Sequence, residues 1–369
     1  MAIDNKDKKI LNVPPLRFPE FTEEWKAEQL DNIATLSKGI GISKEQLSED
    51  GEPCILYGEL YTKYKSEIIK QVESKTDING SKLKRSKAND VIIPCSGETA
   101  VDIATARCVP FDNILFGGDL NVISLHQYDG AFMSYQLNGK RKYDIARVAQ
   151  GVSIVHLYGE HLKAIKTYNP TLPEQQKIAK LLSLLDDRID TQNKIIEKLQ
   201  SLIKGLRVCC MQRVYGNNVY LSEIAQIYQP QTISSTELTE DGFLVYGANG
   251  IIGKYKDYNH ETEQICITCR GNTCGMVNYT KPMSWITGNA MVINTDKYQD
   301  KVCKRYLYHY LSAYNFNSII SGSGQPQIVR TPLEKLKITL PTISEQKQKA
   351  IIFDKIQDKI DINHKVLSI

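Results

Sequence analysis

The sequence of 369 residues lacks the features that mark secreted and membrane proteins. No apolar run approaches the roughly 18 residues of a membrane-spanning helix, and the opening residues do not resemble a secretory signal. The nine cysteines show no regular pairing pattern, which is typical of a protein kept in a reducing compartment. We therefore expect a cytoplasmic location and no membrane partner.

Signals for catalysis are also missing from the sequence. The chain has no Gly-Lys-Ser/Thr phosphate loop, no Gly-x-Gly-x-x-Gly turn after a strand, and no cluster among its six histidines. Cys266, Cys269 and Cys274 invite a zinc site, but no fourth ligand follows at a suitable spacing, which favours buried thiols. We predict that the chain is not an enzyme and holds neither a metal nor a cofactor of its own.

The composition fits a binding protein with two domains of ordinary size. The length allows each of two domains to bury its own core. The net charge of +4 permits binding to nucleic acid but does not require it. Tyrosine is frequent, with 20 residues against two tryptophans, and its flat ring with a polar tip suits recognition surfaces.

The most informative feature that is present is an internal repeat. The segment TLPEQQKIAKLLSLLDDRID (171–190) aligns without a gap with TISEQKQKAIIFDKIQDKID (342–361). Weaker matches precede each segment in the same order: 95–99 with 269–273, 132–137 with 306–311, and 150–154 with 324–328. Their shared order predicts two copies of one domain. The polar residues between the matched apolar positions differ, which predicts two recognition surfaces of different specificity.

Each repeat ends in a helix with its own start signal. Thr171 with Glu174, and Thr342 with Glu345, form capping-box patterns shortly after a proline. Residues spaced alternately four and three apart then follow, which is the pattern of a coiled-coil seam. The seam positions are Ile178, Leu182, Leu185, Ile189, Gln192, Ile196 and Leu199 in the first helix, and Phe353, Ile356, Ile360, Asn363 and Leu367 in the second.

These helices are predicted to pair with each other inside one chain. The pair should be antiparallel, because a whole domain must fit between the two helices. The first helix, from 174 to 213, would be about 60 Å long at 1.5 Å per residue, whereas the second, from 345 to 369, is shorter. The alternative is that each helix packs separately on its own domain.

The remaining pattern predicts an α+β fold. The runs VIIP (91–94), NVISL (121–125), ICITC (265–269) and MVIN (291–294) indicate short buried strands. No regular alternation of strands with helices runs through the chain, which excludes a doubly wound sheet. We predict domains at 1–168 and 216–340, each followed by a long helix, at 169–215 and 341–369 respectively.

Basic and amide-rich loops are the candidates for contact with nucleic acid. Flexible basic loops bind phosphates, Arg reads guanine edges, and Asn or Gln reads adenine edges. The candidates are Lys82, Lys84, Arg85, Lys87, Lys140, Arg141, Lys142, Arg147 and Ser153 in the first domain, and Asn249, Lys254, Arg270, Asn272, Ser323, Gln325, Gln327 and Arg330 in the second. The alternative is that these segments are only solvated faces and turn-rich connectors.

Taken together, these motifs resemble a known family. Two variable domains, each followed by a Pro-x-x-x-Glu-Gln helix, resemble the specificity subunit of type I restriction–modification enzymes. The opening LRFPEF (16–21) with Trp25, and GSGQPQI (322–328) in the second domain, are similar to segments of the same subunits. The resemblance covers almost the whole chain.

The resemblance implies a division of labour. Each target-recognition domain would read one half of an asymmetric, gapped site in double-stranded DNA. The helices would set the gap and bind two modification subunits, which Pro173, Glu174 and Glu345 would face. S-adenosylmethionine, ATP and magnesium would belong to the modification and restriction subunits. Alternatives are a stand-alone duplicated DNA-binding protein, the recognition part split from a single-chain enzyme, or a coiled-coil scaffold that binds no DNA.

Overall fold

The computed structural model describes residues 13–79, 82–212, 214–248, 250–322 and 324–368. The chain divides into two compact units, unit 1 at residues 1–189 and unit 2 at residues 190–369. The division falls inside the first long helix, α7 (Leu172–Gln212), which was predicted to start at 174 and to end at 213. Residue 213 lies outside the described residues.

Unit 1 combines short strands with short helices. Its strands are β1 (Lys26–Gln29), β2 (Ala34–Lys38), β3 (Glu52–Ile55), β4 (Ser74–Thr76), β5 (Lys84–Arg85), β6 (Asp90–Pro94), β7 (Ser96–Gly97), β8 (Arg107–Val109), β9 (Leu115–Phe116), β10 (Leu120–Leu125), β11 (Val155–His156) and β12 (Lys166–Asn169). Its helices before α7 are α1 (Leu30–Ile33), α2 (Glu59–Thr62), α3 (Ala100–Ile103), α4 (Gly130–Asn138), α5 (Lys142–Val148) and α6 (Gly159–Lys163).

Unit 2 is built from the same kinds of element. Its strands are β13 (Asn217–Tyr220), β14 (Gln226–Tyr228), β15 (Phe243–Gly247), β16 (Gly250–Tyr255), β17 (Ile265–Thr268), β18 (Val277–Tyr279), β19 (Trp285–Ile286), β20 (Ala290–Asn294) and β21 (Lys337–Leu340). Its helices after α7 are α8 (Lys304–Ala313), α9 (Arg330–Glu334) and α10 (Ile343–Leu367). Residue 369, the predicted end of the last helix, lies outside the described part of the chain.

The sheets of the two units have matching strand orders, which confirms the repeat. Unit 1 has an antiparallel sheet of order β2-β10-β6-β8, and unit 2 has one of order β14-β20-β17-β18. The second sheet has the order β4-β3-β9-β5 in unit 1 and β16-β15-β19 in unit 2. In both, one strand pair is parallel, β3 with β9 and β15 with β19. An antiparallel pair, β1 with β12 or β13 with β21, precedes each long helix.

The central strands form because their residues are apolar and mostly β-branched. β6 and β17 are buried along their whole lengths, as expected for strands with protein on both faces. On one side of the unit 1 sheet, Ile93 and Ile123 pack with Met133 and Leu137 of α4. The α+β prediction is therefore confirmed in both units.

A buried glutamine fixes the start of each long helix to its own unit. Gln175 accepts a hydrogen bond from the backbone N–H of Asp129, the residue before α4, at 2.9 Å, and donates to the Pro170 carbonyl at 2.8 Å. Gln346 accepts from the N–H of Cys303, the residue before α8, at 2.8 Å. It also donates to the carbonyls of Lys301 at 3.2 Å and Pro341 at 2.9 Å. Both glutamines are about 1% exposed, so these bonds are shielded from water.

The capping box predicted for the second long helix is confirmed. The Thr342 side chain accepts from the Glu345 N–H, and the Glu345 carboxylate accepts from the Thr342 N–H at 3.1 Å. Glu174 in the first helix behaves differently. Its carboxylate is fully buried and accepts hydrogen bonds from Arg17 at 2.6 and 2.7 Å and from Trp25 Nε1 at 3.2 Å.

The position of Glu174 corrects one expectation from the family resemblance. A carboxylate that is ion-paired inside its own unit cannot face a partner subunit, whereas Pro173 and Glu345 are exposed. The opening segment with Arg17 and Trp25 therefore serves to neutralise and cover Glu174. A buried carboxylate requires such a partner, because an unpaired charge in the protein interior is costly.

In unit 2 the two long helices pack as an antiparallel pair. Lys349 Nζ, near the start of α10, donates to the carbonyl of Cys210, near the end of α7, at 3.4 Å. Arg207, earlier on α7, and Asp354, further on along α10, both contact His309, so the helices run in opposite directions. The seam residues in the core of unit 2 are Ile196, Phe353 and Ile360, with Leu199, Ile356 and Leu367 packed against it.

Several of the predicted seam positions are not buried between the two helices. Leu185 and Ile189 are each 48% exposed, and Ile178, Leu182, Gln192 and Asn363 are only half-buried. The lengths explain part of this difference, because α10 has 25 residues and α7 has 41, so α10 cannot cover all of α7. A seam pattern in one helix therefore extends beyond what its intramolecular partner can bury.

A polar cluster in unit 2 joins α7, α8 and α10. His309 is fully buried, and its Nδ1 accepts from Arg207 at 2.9 and 3.1 Å. Its Nε2 lies 2.8 Å from Asp354 Oδ1, which also pairs with Arg305. Because Nδ1 accepts, the neutral ring carries its proton on Nε2 and donates it to Asp354. Burial lowers the pKa of His309. The charges of the neighbouring arginines also lower it, whereas the hydrogen bond to Asp354 and the charge of Asp354 raise it.

The cysteines are unpaired thiols, and most of them are buried. Cys266 and Cys269 are buried as predicted, and Cys274 is half-buried. Burial raises the pKa of the Cys266 thiol to about 12, so it stays protonated. Within the described ranges, no three His, Cys, Asp or Glu side chains lie together in a way that could hold a metal ion.

No helix in the part of the chain that the structure describes is both long enough and apolar enough to cross a membrane.

We predict that Gln346→Ala lowers the free energy of unfolding by about 2–3 kcal/mol, because it leaves a buried N–H and two buried carbonyls without this partner. Urea unfolding followed by circular dichroism measures the change. The control is Gln348→Ala, the same substitution at an exposed position two residues further along α10. Equal losses in the two variants would contradict the anchoring role of Gln346.

The lowered pKa of His309 predicts how stability depends on pH. Below about pH 6.5, His309 is protonated in the unfolded chain but stays neutral in the folded protein, because its pKa is lowered there. The unfolded state therefore binds more protons, and the free energy of unfolding falls as the pH drops. His309→Gln should flatten this fall, measured as melting temperature against pH. Burial also lowers the pKa of His260, so a smaller dependence of the same sign should remain. The control is His364→Gln, at an exposed position on α10, and an equal flattening there would refute the assignment.

Candidate nucleic-acid interface

In each unit, the loop that follows the central strand of the main sheet pairs with a return loop. We call these two segments the loop pair: residues 95–99 with 150–157 in unit 1, and 269–273 with 321–328 in unit 2. The Leu157 N–H donates to the Cys95 carbonyl at 2.8 Å, and the Ile328 N–H donates to the Cys269 carbonyl at 3.0 Å. The same backbone bond therefore closes the loop pair in both units.

The return loops correspond residue by residue, in a register that the sequence comparison missed. Gln150 bridges His156 in unit 1, and Ser321 bridges Gln327 in unit 2, so each loop spans the same number of residues. The glycine after each first residue has a positive φ, +122° at Gly151 and +90° at Gly322. The alignment of 150–154 with 324–328 was therefore wrong by three residues. The two return loops are short and differ in their side chains, so the sequence contained too few matching apolar residues to fix the alignment register.

The corrected register places two pairs of side chains at equivalent positions. Ser96 lies opposite His156 across the β7–β11 pair, and Arg270 lies opposite Gln327 in an antiparallel bridge. Directly opposite residues of antiparallel strands present their side chains side by side. Arg270, Gln327 and His156 are exposed, and Ser96 is half-buried. Sequence reasoning found the unit 2 pair but missed His156, which no basic or amide-rich run marked.

Other predicted residues of unit 2 lie in or near the same loops. Asn272 and Gln325 are exposed within the loop pair. The β15–β16 hairpin joins this region, because the Thr268 hydroxyl at the end of β17 donates to the carbonyl of Ala248 in the hairpin turn. Lys254 and Arg330 are engaged with acidic neighbours, Asp241 at 3.5 Å and Glu334 at 2.6 Å. Two further predicted residues, Asn249 and Ser323, lie outside the described residues.

The basic residues at 140–147 adjoin the loop pair of unit 1. α5 packs against α3, which follows directly after residues 95–99, and Ile145 shares a core with Ile103. Lys140 and Arg147 are exposed, with Arg147 3.3 Å from Asp144, and Lys142 is half-buried. Arg141 does not fit the prediction of a DNA contact. Its guanidinium lies 5.3 Å from the Tyr168 ring centre and 2.9 Å from Asp144, and only 14% of the side chain is exposed.

The basic residues at 82–87 lie in a different part of unit 1. Lys84 and Arg85 form β5, the edge strand of the second sheet. Arg85 makes a two-point ion pair with Glu52, at 2.6 and 3.0 Å, which offsets its charge. Lys82 and Lys87 are exposed on either side of β5. We predicted one interface for residues 82–87 and 140–147 because both segments are basic. In the structure, residues 82–87 form a separate basic patch at the edge of the second sheet.

Ser153, the remaining predicted residue of unit 1, lines a cavity of about 700 Å³. The cavity lies beside the loop pair, and its other walls come from α2, α3 and β8. The sequence did not mark the other residues that line it as candidates, among them Tyr57, Tyr61, Glu98, Asp102 and Arg107. The closely spaced tyrosines around α2 were the one local signal for this site.

Comparison with known proteins agrees with the architecture described above. The family model described as "Type I restriction modification DNA specificity domain" matches residues 22–201 and again residues 217–368. The specificity subunit of the type I restriction enzyme MjaVIII from Methanocaldococcus jannaschii is 24% identical, with 98% of this chain and 92% of that protein covered. The EcoprrI specificity subunit from Escherichia coli is 31% identical over 147 residues. That match covers 38% of this chain and spans 36% of the length of the E. coli protein.

A solved structure shares the fold over almost the whole length. The S subunit of the type I restriction–modification system from M. genitalium has a TM-score of 0.70 with this chain at 19% identity. The superposition covers 94% of this chain and 92% of that subunit. Because the family model matches both repeats and most of the residues, this chain belongs to the family of type I restriction–modification DNA specificity proteins.

Proposed function

We propose that this chain is the DNA sequence-recognition subunit of a type I restriction–modification complex. Each unit reads one half of an asymmetric, gapped site in double-stranded DNA. The observation that carries this proposal is the duplicated loop pair, which keeps one backbone frame and changes the side chains on it. Ser96 and His156 occupy the positions that Arg270 and Gln327 occupy in unit 2. Two copies of one frame with different hydrogen-bonding groups suit two different half-sites.

The chemistry of the unit 2 loop pair fits direct readout of bases. Arg270 has no ion pair among the residues described, so its guanidinium is free to donate two hydrogen bonds to a guanine edge. The Gln327 amide, next to it, can both donate to and accept from an adenine edge. Gly271, with φ at +86°, lets the loop turn sharply at the tip where the two side chains emerge.

Contacts to the DNA backbone come from exposed basic residues in this proposal. Lys140 and Arg147 adjoin the unit 1 loop pair, and Lys82 and Lys87 flank β5. Such side chains bind phosphates without regard to sequence and supply much of the affinity. Lys254 and Arg330 join them only if DNA displaces their acidic partners, the fully exposed Asp241 and the half-buried Glu334. Such ion pairs near the surface contribute little to stability.

The long helices bind the partner subunits in this proposal. Exposed large apolar side chains follow both helices, and such residues mark protein-binding surfaces. They are Leu172, Leu181, Leu184, Leu185, Ile189, Ile195 and Leu202 on α7, and Ile351, Ile352, Ile362 and Val366 on α10. Two modification subunits bound there carry S-adenosylmethionine and methylate adenine, and restriction subunits supply ATP- and magnesium-dependent cleavage. The chain itself performs no catalysis and acts in the cytoplasm, where its free thiols stay reduced.

A stand-alone DNA-binding protein and a scaffold that binds no DNA are the competing functions. Neither accounts for a second loop pair with altered side chains together with exposed apolar residues along both helices.

The proposal predicts that methylation of a two-part DNA site depends on this chain. The chain is co-purified with the modification subunit encoded beside it, and methylated sites are mapped on genomic DNA. A single gapped adenine motif should appear, and it should vanish without this chain. Methylation that persists without the chain, or a modification subunit that never binds it, would overturn the proposal.

Arg270→Ala and Gln327→Ala should relax recognition in one half of that motif, and His156→Ala in the other half. Each lost base contact reduces discrimination by about 1–3 kcal/mol, or roughly 5- to 150-fold. The measurement is methylation of oligonucleotides altered one base pair at a time. Lys297→Ala, at an exposed lysine of unit 2, is the control and should leave both halves unchanged. Equal relaxation of both halves by one variant would contradict separate reading.

Lys140→Ala combined with Arg147→Ala should weaken binding to all sequences alike. The slope of log affinity against log salt concentration should fall by about one for each phosphate contact removed. Fluorescence anisotropy at several salt concentrations measures both effects. Lys75→Ala, on the edge of the second sheet opposite β5, is the control. A slope that stays unchanged in the double variant would exclude these residues as phosphate contacts.

A further inference from the structure

The cavity beside the unit 1 loop pair has the size and lining of a small-ligand site. Its volume is about 700 Å³, within the common range for such sites of about 300–1,000 Å³. Tyr57 and Tyr61 contribute rings that are each more than one-third exposed. The Tyr61 hydroxyl donates to the Ser96 carbonyl at 3.1 Å, which fixes its ring next to β7.

Arg107 brings a buried positive charge to this cavity. The residue is 8% exposed, and its Nε and Nη1 donate to the backbone carbonyls of Tyr64 at 2.7 Å and Ala106 at 2.9 Å. No carboxylate forms an ion pair with it in the described ranges, and its Nη2 has no partner there. Burial lowers the pKa of Arg107, and the charge of Glu67 offsets this in part without a direct ion pair. Nη2 is thus the donor of this buried guanidinium that is left for a ligand.

The same cavity also carries hydrogen-bond acceptors on side chains that solvent reaches. Glu98 and Asp102 both line it and are both exposed. Asp102 Oδ2 accepts from the Thr99 hydroxyl at 2.6 Å, and the Thr99 hydroxyl accepts from the Asp102 N–H, so the carboxylate is held at the start of α3. Its other oxygen, and the Glu98 carboxylate, remain available to accept hydrogen bonds from a ligand.

These charges restrict what the cavity can hold. A phosphate or other anion is opposed by Glu98 and Asp102, and an ammonium or guanidinium group is opposed by Arg107. A flat, neutral molecule with acceptors along one edge and donors along another can bond both to the Arg107 donor and to the Glu98 and Asp102 acceptors. Guanine has this arrangement: O6 and N7 accept from arginine, whereas N1–H and the N2 amino group donate to carboxylates. Tyrosine rings supply faces on which a base can stack.

We propose that this cavity binds a single guanine base, with Arg107 on its O6 and N7 edge and Glu98 and Asp102 on its N1 and N2 edge. One source is a guanine extruded from the bound DNA, a step that rests on the proposed function. The other source is a free guanine nucleoside. The exposed aliphatic residues Val152 and Ile154, 98% and 60% exposed, favour extrusion, because apolar side chains at a DNA surface wedge between base steps.

Two measurements on the full-length chain separate the sources. In the first, duplexes carry a fluorescent guanine analogue, which emits more strongly when unstacked, at each guanine of the methylated motif. In the second, guanosine is titrated into the chain without DNA by calorimetry. Both use the wild type, Glu98→Gln, Asp102→Asn, Arg107→Met and the control Glu49→Gln, an exposed glutamate elsewhere in unit 1. Glu98 and Asp102 are exposed, so their variants fold even if Arg107→Met does not.

The expected result is a rise in emission with the wild type and the control at one guanine of the unit 1 half-site. The rise should weaken about tenfold in Glu98→Gln and Asp102→Asn, since each loses a charged acceptor. Guanosine binding with the same variant pattern, without any rise in emission, assigns the cavity to the free nucleoside. DNA binding without either signal overturns the cavity proposal and leaves the recognition function intact. If DNA does not bind at all, the recognition function fails and the guanosine titration alone decides the cavity.

Discussion

The hydrogen bonds of one buried glutamine at the start of each long helix hold the rest of the architecture in place. Gln175 and Gln346 each accept from the backbone N–H that precedes a short helix and donate to the carbonyl of the proline before the long helix. Each bond is formed away from water, where an unpaired donor or acceptor would be costly. The start of each long helix is therefore held to the neighbouring short helix by specific hydrogen bonds as well as by apolar packing.

The two units repeat this anchor but surround it with different chemistry. In unit 1 the residue before Gln175, Glu174, is neutralised by Arg17 and covered by Trp25, whereas in unit 2 Glu345 caps its own helix at the surface. About three turns beyond Gln175, Tyr135 of α4 donates to Asp186 of α7 at 2.5 Å. About two turns beyond Gln346, His309 of α8 donates to Asp354 of α10 at 2.8 Å. A short helix is thus tied to the long helix by a phenol in unit 1 and by a titratable imidazole in unit 2, and the lowered pKa of His309 makes the unit 2 contact sensitive to pH.

The loop pair shows why such a scaffold can change its specificity without losing its fold. Backbone hydrogen bonds hold the frame, through Leu157 to Cys95 in unit 1 and Ile328 to Cys269 in unit 2. The side chains that project from the frame contribute little to these bonds, so they can be exchanged with little cost to stability. Under the proposed function, a rigid frame also keeps the base-contacting side chains in position before DNA binds, which reduces the entropy lost on binding.

Local sequence patterns were enough to predict the duplication, the α+β class, the two long helices and the loops of the candidate site in unit 2. These features are written in local patterns: apolar spacing, proline before a cap, and glycines at turns. Contacts between distant segments, in contrast, set the register of the return loops, the packing role of Arg141, the burial of Glu174 and the exposure of Leu185 and Ile189. They also assemble the cavity from α2, the loop pair, α3 and β8, whose residues are far apart along the chain. Local patterns report what a segment can form, whereas burial, ion pairing and cavity walls depend on which distant segments meet it.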